Sequence, residues 1–124
     1  ILLISSTSGL FGVPYRSPYV SAKWGLIGLM KTLAIELGSA NVRVNAICPG
    51  AVQGERMERM LSIESDATRR PIADIRQRYT DSVSLRRFIA PQDIAAMALY
   101  LASEAGRNVS GQAISVDGNT ERMV

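Results

Sequence analysis

The stretch Val42-Arg43-Val44-Asn45-Ala46-Ile47-Cys48-Pro49-Gly50 decides the architecture of this chain. β-Branched residues at 42, 44 and 47 favour a pleated strand, and Pro49-Gly50 punctuates its end. Immediately upstream, Tyr19 to Leu37 holds no proline. Within it Val20, Trp24, Ile27, Met30, Ala34 and Leu37 recur at three- and four-residue steps, the period of a helix. Pro18 stands where a first helical turn tolerates a missing N–H, and Gly38 is expected to cap the far end. Before the helix, Ile1-Leu2-Leu3-Ile4 is an apolar run ending in Ser5-Ser6, the pattern of a buried parallel strand that meets solvent at its C-terminal end. Strand, helix and strand in this order make a right-handed βαβ crossover.

Working outward, Ala51 to Phe88 is long, polar and arginine-rich, with helices expected near Glu55–Leu61 and Ile72–Tyr79. Pro91 opens a helix through Ala102, and a last strand is expected over Gln112–Val116, followed by the turn Asp117-Gly118-Asn119. The predicted fold class is therefore α/β, with three parallel strands and flanking helices forming the C-terminal half of a doubly wound parallel sheet. A chain of 124 residues permits one small domain. Its start in mid-core, without Met or a basic leader, predicts that residues 1–124 are part of a longer domain.

Composition narrows the chemistry. The chain has no histidine, which removes the commonest general base and excludes metal sites built on His pairs or Cys/His sets. A single cysteine, Cys48, allows no internal disulfide and suits a reducing, cytoplasmic setting. A net charge of +3 is too small to argue for nucleic acid, and no basic helix or aromatic platform accompanies it. No apolar run is long enough to span a membrane.

Tyr19 and Lys23 are four apart on the predicted helix, so they share a face one turn apart. A phenol ordinarily keeps its proton until about pH 10. An ammonium held beside a phenol favours the phenolate, which makes the hydroxyl usable as an acid or base nearer neutrality. Such a pair alone is a weak signal, since polar pairs at helical spacing are common on surfaces. Context strengthens it. Ser6 ends the first strand, Pro49-Gly50 ends the second, and the Tyr19/Lys23 helix begins at the same rim. Ligands of doubly wound sheets bind outside the carboxyl ends of the strands. The plainer reading of Ser6 is a turn or cap hydroxyl.

Taken together, Ile4-Ser5-Ser6-Thr7-Ser8-Gly9, Tyr19-Val20-Ser21-Ala22-Lys23, the Val42–Gly50 stretch and Ser110-Gly111-Gln112-Ala113-Ile114-Ser115-Val116-Asp117-Gly118 resemble the short-chain dehydrogenase/reductase family. The likeness resides in classical members such as 3-oxoacyl-carrier-protein reductases and secondary-alcohol dehydrogenases. It runs in the right order along nearly the whole chain and implies a Rossmann-type domain. The resemblance implies hydride transfer between NAD or NADP and a small-molecule secondary alcohol or ketone. Ser6, Tyr19 and Lys23 would be catalytic: Tyr19 exchanging the proton, Ser6 holding the substrate oxygen, Lys23 assisting Tyr19 and bonding the nicotinamide ribose. Pro49, Gly50 and Val52 would line the nicotinamide beside Tyr19 and Lys23, with the backbone of Val52 meeting its carboxamide. It also implies a homo-oligomer, a dimer or tetramer, formed through the Tyr19–Leu37 helix.

Two departures stand out. Gly54 occupies the position where many members carry threonine, leaving the carboxamide to backbone groups. No Gly-x-x-x-Gly-x-Gly turn for the pyrophosphate follows any strand, so the chain is expected to hold only the nicotinamide end and to be inactive alone. The alternative is a non-catalytic half-fold that acts as an association module.

Eight of the twelve arginines fall between Glu55 and Phe88, interleaved with acids. A solvated mixed-charge face is the favoured reading over an anion-attracting one. By its position after Pro49-Gly50, the segment 51–88 is expected to cover the substrate.

Overall fold

The computed structural model describes all 124 residues. Three parallel strands, β1 (Leu2–Ile4), β2 (Asn45–Pro49) and β3 (Ala113–Val116), form one sheet in the order β1-β2-β3. Leu2 stands opposite Asn45, and Ala46 opposite Ala113, so β2 is the central strand. Helix α1 (Ser17–Leu37) makes the β1–β2 crossover. Helices α2 (Glu55–Thr68), α3 (Ile72–Asp81) and α4 (Pro91–Ala102) fill the connection from β2 to β3. No helix is long and apolar enough to cross a membrane.

The main core lies between α1 and the sheet. Met30, Val44 and Ala46 are fully buried there, with Ile27, Leu33, Ala34 and Leu37 packed around them. Each such large side chain removed from water contributes about 1.5–3 kcal/mol before entropy is counted. A second cluster of Met57, Leu61 and Ile75 belongs to α2 and α3. Thus the polar excursion between β2 and α4 carries its own apolar seam rather than borrowing the sheet's.

Several boundaries differ from the sequence expectation. β2 begins at Asn45 rather than Val42, because pairing with β1 starts only at Leu2. Ahead of it, Arg43 instead donates to the carbonyls of Leu101 and Gly106. Gly38 is not the left-handed cap of α1: its backbone is right-handed and the chain runs on into a 3-10 turn, Gly38–Ala40. Asn41, at φ 60°, makes the reversal. Trp24, placed by periodicity with the core residues, is 48% exposed. It leans toward the loop before α1, its indole N–H 3.4 Å from the Phe11 carbonyl. α2 runs a further two turns past Leu61, ending where Arg69 turns left-handed.

The excursion is stapled at both ends. Val52 and Ile89 form a parallel bridge, with the Gln53 N–H donating to Ile89 O and the Ile89 N–H to Ala51 O, both at 2.9 Å. Val83 pairs with Thr120 in an antiparallel bridge, which ties the end of α3 to the tail beyond β3. That tail turns through Gly118 and Asn119, both left-handed, while the Asp117 carboxylate accepts the N–H groups of Asn119 and Thr120.

Candidate active site

A cavity of about 510 Å³ opens at the carboxyl ends of β1 and β2, beneath α2 and the C-terminal tail. Ser6, Tyr19, Lys23, Pro49, Gly50 and Val52 all line it. The structure therefore brings the six residues singled out by sequence to one place, although they come from three separate segments.

Each is positioned for a physical reason. Ser6 follows β1 by two residues and caps the 3-10 turn Thr7–Gly9, its Oγ accepting the Ser8 N–H at 3.1 Å. That bond uses a lone pair and leaves the hydroxyl proton free for another acceptor. The neighbouring Ser5 is buried, its hydroxyl donating to the Lys23 carbonyl at 2.9 Å. Strand end and helix are thereby locked together. Lys23 Nζ donates to the Ile4 carbonyl at 3.0 Å and stands 5.6 Å from the centre of the Tyr19 ring. An ammonium at that range is attracted to a ring face, and two of its three N–H groups remain for other partners.

At the second strand, Pro49 cannot donate to a ladder, but it lies at the strand end where none is required. Gly50 donates to the Val116 carbonyl at 3.1 Å, and a Cβ built on it would lie 2.8 Å from the Asp117 Cα. Only glycine permits β3 to approach this closely. Val52 is held by the bridge to Ile89. Gly54 precedes α2 with φ 139°, a backbone region that side chains other than hydrogen avoid. A threonine at this position would be strained in this conformation.

Residues that sequence reasoning did not single out complete the lining: Val13 and Arg16 before α1, Met57 and Met60 on α2, Tyr79 on α3. Only the placement of 51–88 after Pro49-Gly50 hinted at those on α2 and α3, while nothing in spacing or composition marked Arg16. Burial, and then the charge of Glu64, push the Tyr79 phenol above its ordinary value. Its hydroxyl donates to Glu64 Oε2 at 3.2 Å, and Arg78 pairs with the same carboxylate. Cys48 is buried beside the site, and desolvation raises its thiol above the usual range. Of the eight clustered arginines only Arg56 lines the cavity, whereas Arg76, Arg78 and Arg86 pair with Glu58, Glu64 and Glu121. Most of the cluster is a mixed-charge outer face.

The lining suits the nicotinamide end of a dinucleotide. Val13, Pro49 and Val52 offer apolar wall, and the unused N–H groups of Lys23 offer donors for ribose hydroxyls. The 124 residues contain no matching turn for the pyrophosphate.

A βαβ unit whose strand ends meet a Tyr-x-x-x-Lys helix and a serine defines a class, and comparison with known proteins gives the same class. A family model described as enoyl-(acyl carrier protein) reductase matches residues 1–119. The chain belongs to this family, within the short-chain dehydrogenases/reductases. It is 39% identical over 118 residues to the 3-oxoacyl-[acyl-carrier-protein] reductase of Chlamydia trachomatis serovar D, covering 95% of this chain and 43% of that protein. Among solved structures, the F189W actinorhodin polyketide ketoreductase with NADPH superposes with TM-score 0.90 at 32% identity, over 99% of this chain and 47% of the other. A 4-hydroxyisoleucine dehydrogenase complexed with NADH gives TM-score 0.81 at 35% identity, over 96% and 45%. The chain thus spans a little under half the length of these relatives.

Proposed function

We propose that the site interconverts a secondary alcohol and a ketone with NAD or NADP as hydride carrier. The observation that carries this reading is the convergence of Ser6, Tyr19, Lys23 and Pro49-Gly50 on one cavity at the carboxyl ends of β1 and β2. Oxidising an alcohol removes one proton and one hydride, and only the proton needs a side chain. The nicotinamide, when bound, supplies or accepts the hydride. In the reductive direction Tyr19 Oη gives its proton to the carbonyl oxygen. Ser6, whose Oγ already accepts the Ser8 N–H, turns its own O–H to that same oxygen and fixes its distance from Tyr19. Lys23, anchored on the Ile4 carbonyl, stabilises the phenolate left behind and holds the ribose. The α2–α3 excursion, residues 51–88, acts as the lid that covers the substrate and excludes water.

The chain supplies the acid/base half of the chemistry, and turnover requires a pyrophosphate-binding turn that this sequence does not contain. Self-association through α1 accompanies this reading. Trp24 and Leu29 are each 48% exposed and Ile35 84%, while Gly25 and Gly28 have nothing packed near them. A facing helix from a second copy would bury that surface.

The deciding experiment is Tyr19→Phe in the protein as its host makes it. Turnover is expected to fall by at least about 10²-fold, the scale of general acid–base catalysis, with NAD(P) affinity changed by only a few-fold. Undiminished turnover would remove Tyr19 from the reaction and favour the reading of the chain as an association module.

A further inference from the structure

The cavity is lined by four cations, Arg16, Lys23, Arg56 and Arg122, against the single carboxylate of Glu55. Lys23 is engaged by the Ile4 carbonyl. The three arginines take no part in any of the chain's four ion pairs, which join Arg76 to Glu58, Arg78 to Glu64, Arg86 to Glu121 and Arg107 to Glu104. They come from three separate parts of the chain: the residue before α1, the first turn of α2, and the tail beyond β3. A guanidinium is always charged, and of the arginines outside the cavity Arg76, Arg78, Arg86 and Arg107 find carboxylates while Arg59, Arg69, Arg70 and Arg87 do not. What sets Arg16, Arg56 and Arg122 apart is that they share one confined space. Three there without a paired carboxylate create a positive field.

Of the three, Arg16 is best placed to touch what binds. It is the residue immediately before α1, three before Tyr19, and its carbonyl accepts the Val20 N–H, so its backbone is fixed to the start of the catalytic helix. It also approaches the lid, where its charge favours the Tyr79 phenolate. Arg16 and Tyr79 line the same cavity as Pro49 and Gly50, the pair that the nicotinamide would meet.

We propose that Arg16 is a specificity-determining residue that pairs with an anionic group, a carboxylate or phosphate, a few atoms from the substrate's reacting carbon. Arg122 and Arg56 strengthen the field around it. The inference rests on the dehydrogenase reading of the same site and deepens it: the substrate class becomes oxo or hydroxy acids and their phosphate counterparts. Met57, Met60 and Val13 then cover the apolar chain between the two polar ends.

The test measures binding as well as turnover. Oxo acids of four to eight carbons, the matching oxo-alkyl phosphates, and the methyl esters of the acids are titrated by calorimetry into the protein as its host makes it, without cofactor. At least one anion is expected to bind tenfold or more tighter than its neutral ester, and the better anion class identifies carboxylate or phosphate. Arg16→Ala should cut that preference by about 10- to 150-fold, the worth of a hydrogen bond to a charged group, and Arg16→Lys should keep part of it. Arg59→Ala, outside the cavity on the same lid, should leave the preference intact. Equal binding of acids and esters by the wild type overturns the proposal. So does an anion preference that survives Arg16→Ala, or a loss of NAD(P) affinity in Arg16→Ala as large as the loss of anion affinity. Tyr19→Phe separates the two readings. If it retains turnover while Arg16→Ala loses the anion preference, the acid/base assignment falls and the anion site stands.

Discussion

The ammonium of Lys23 is bonded to the carbonyl of Ile4, so the last residue of β1 holds the side chain that sits over Tyr19. The two ends of the crossover are therefore coupled through the site itself. Lys23→Met is expected to lower kcat by at least about 10²-fold while changing stability by no more than about 1 kcal/mol, because the freed carbonyl is exposed and water can replace the donor. Single-turnover kinetics and a urea melt on the same preparation would separate the two effects.

Asn45 should prove the most sensitive polar residue away from the cavity. It is buried on the central strand, its side-chain amide donating to Val109 O at 2.8 Å and its Oδ1 accepting the Gln112 N–H at 3.0 Å. Those bonds bind β2 to the chain just before β3. Asn45→Leu leaves the half-buried Val109 carbonyl and the Gln112 N–H without these mates, and about 1–3 kcal/mol of stability should disappear. Chemical denaturation should show a lower midpoint at unchanged slope.

Gly54→Thr introduces the residue that the family resemblance leads one to expect, yet here it should destabilise. The φ of 139° places the position where only glycine is unstrained, at a cost of about 1–3 kcal/mol for another residue. A higher melting temperature in the variant would contradict this.

Stability should fall on the alkaline side. Burial lifts Cys48 above 9.0 and, with the charge of Glu64, lifts Tyr79 above 10.0. The unfolded chain then releases these protons at lower pH than the folded one, so these two groups leave stability unchanged well below about pH 9 and lower it as pH rises through both ranges. Tyr79→Phe should flatten the part of the decline above pH 10. For the same reason Cys48 should resist a thiol-alkylating reagent at pH 8 until urea unfolds the protein.

How much of this was legible in the sequence follows from the range of the forces involved. The helix and its strands were visible because Val20 through Leu37 and Val42 through Pro49 carry periodicities set by local burial. Tyr19 and Lys23 could be paired because four residues is one helical turn. Arg16 carried no such mark: its place in the cavity depends on where α2 and α3 fold back, which no local pattern encodes. The left-handed turn at Asn41 went unseen because Gly38 offered a more familiar helix stop. The exposure of Trp24 was hidden by a helix apolar on more than one side, so that periodicity alone could not choose the inward face.

The Val52–Ile89 bridge has a consequence for how such proteins diversify. Because the two strands of backbone entering and leaving the excursion are already hydrogen-bonded to each other, the intervening length can change at the small logarithmic cost of a longer closed loop. Its separate apolar seam of Met57, Leu61 and Ile75 travels with it. The excursion is in effect a cartridge seated in a socket with two clasps, Val52–Ile89 at its mouth and Val83–Thr120 against the tail, so its interior can change while both clasps stay where they are.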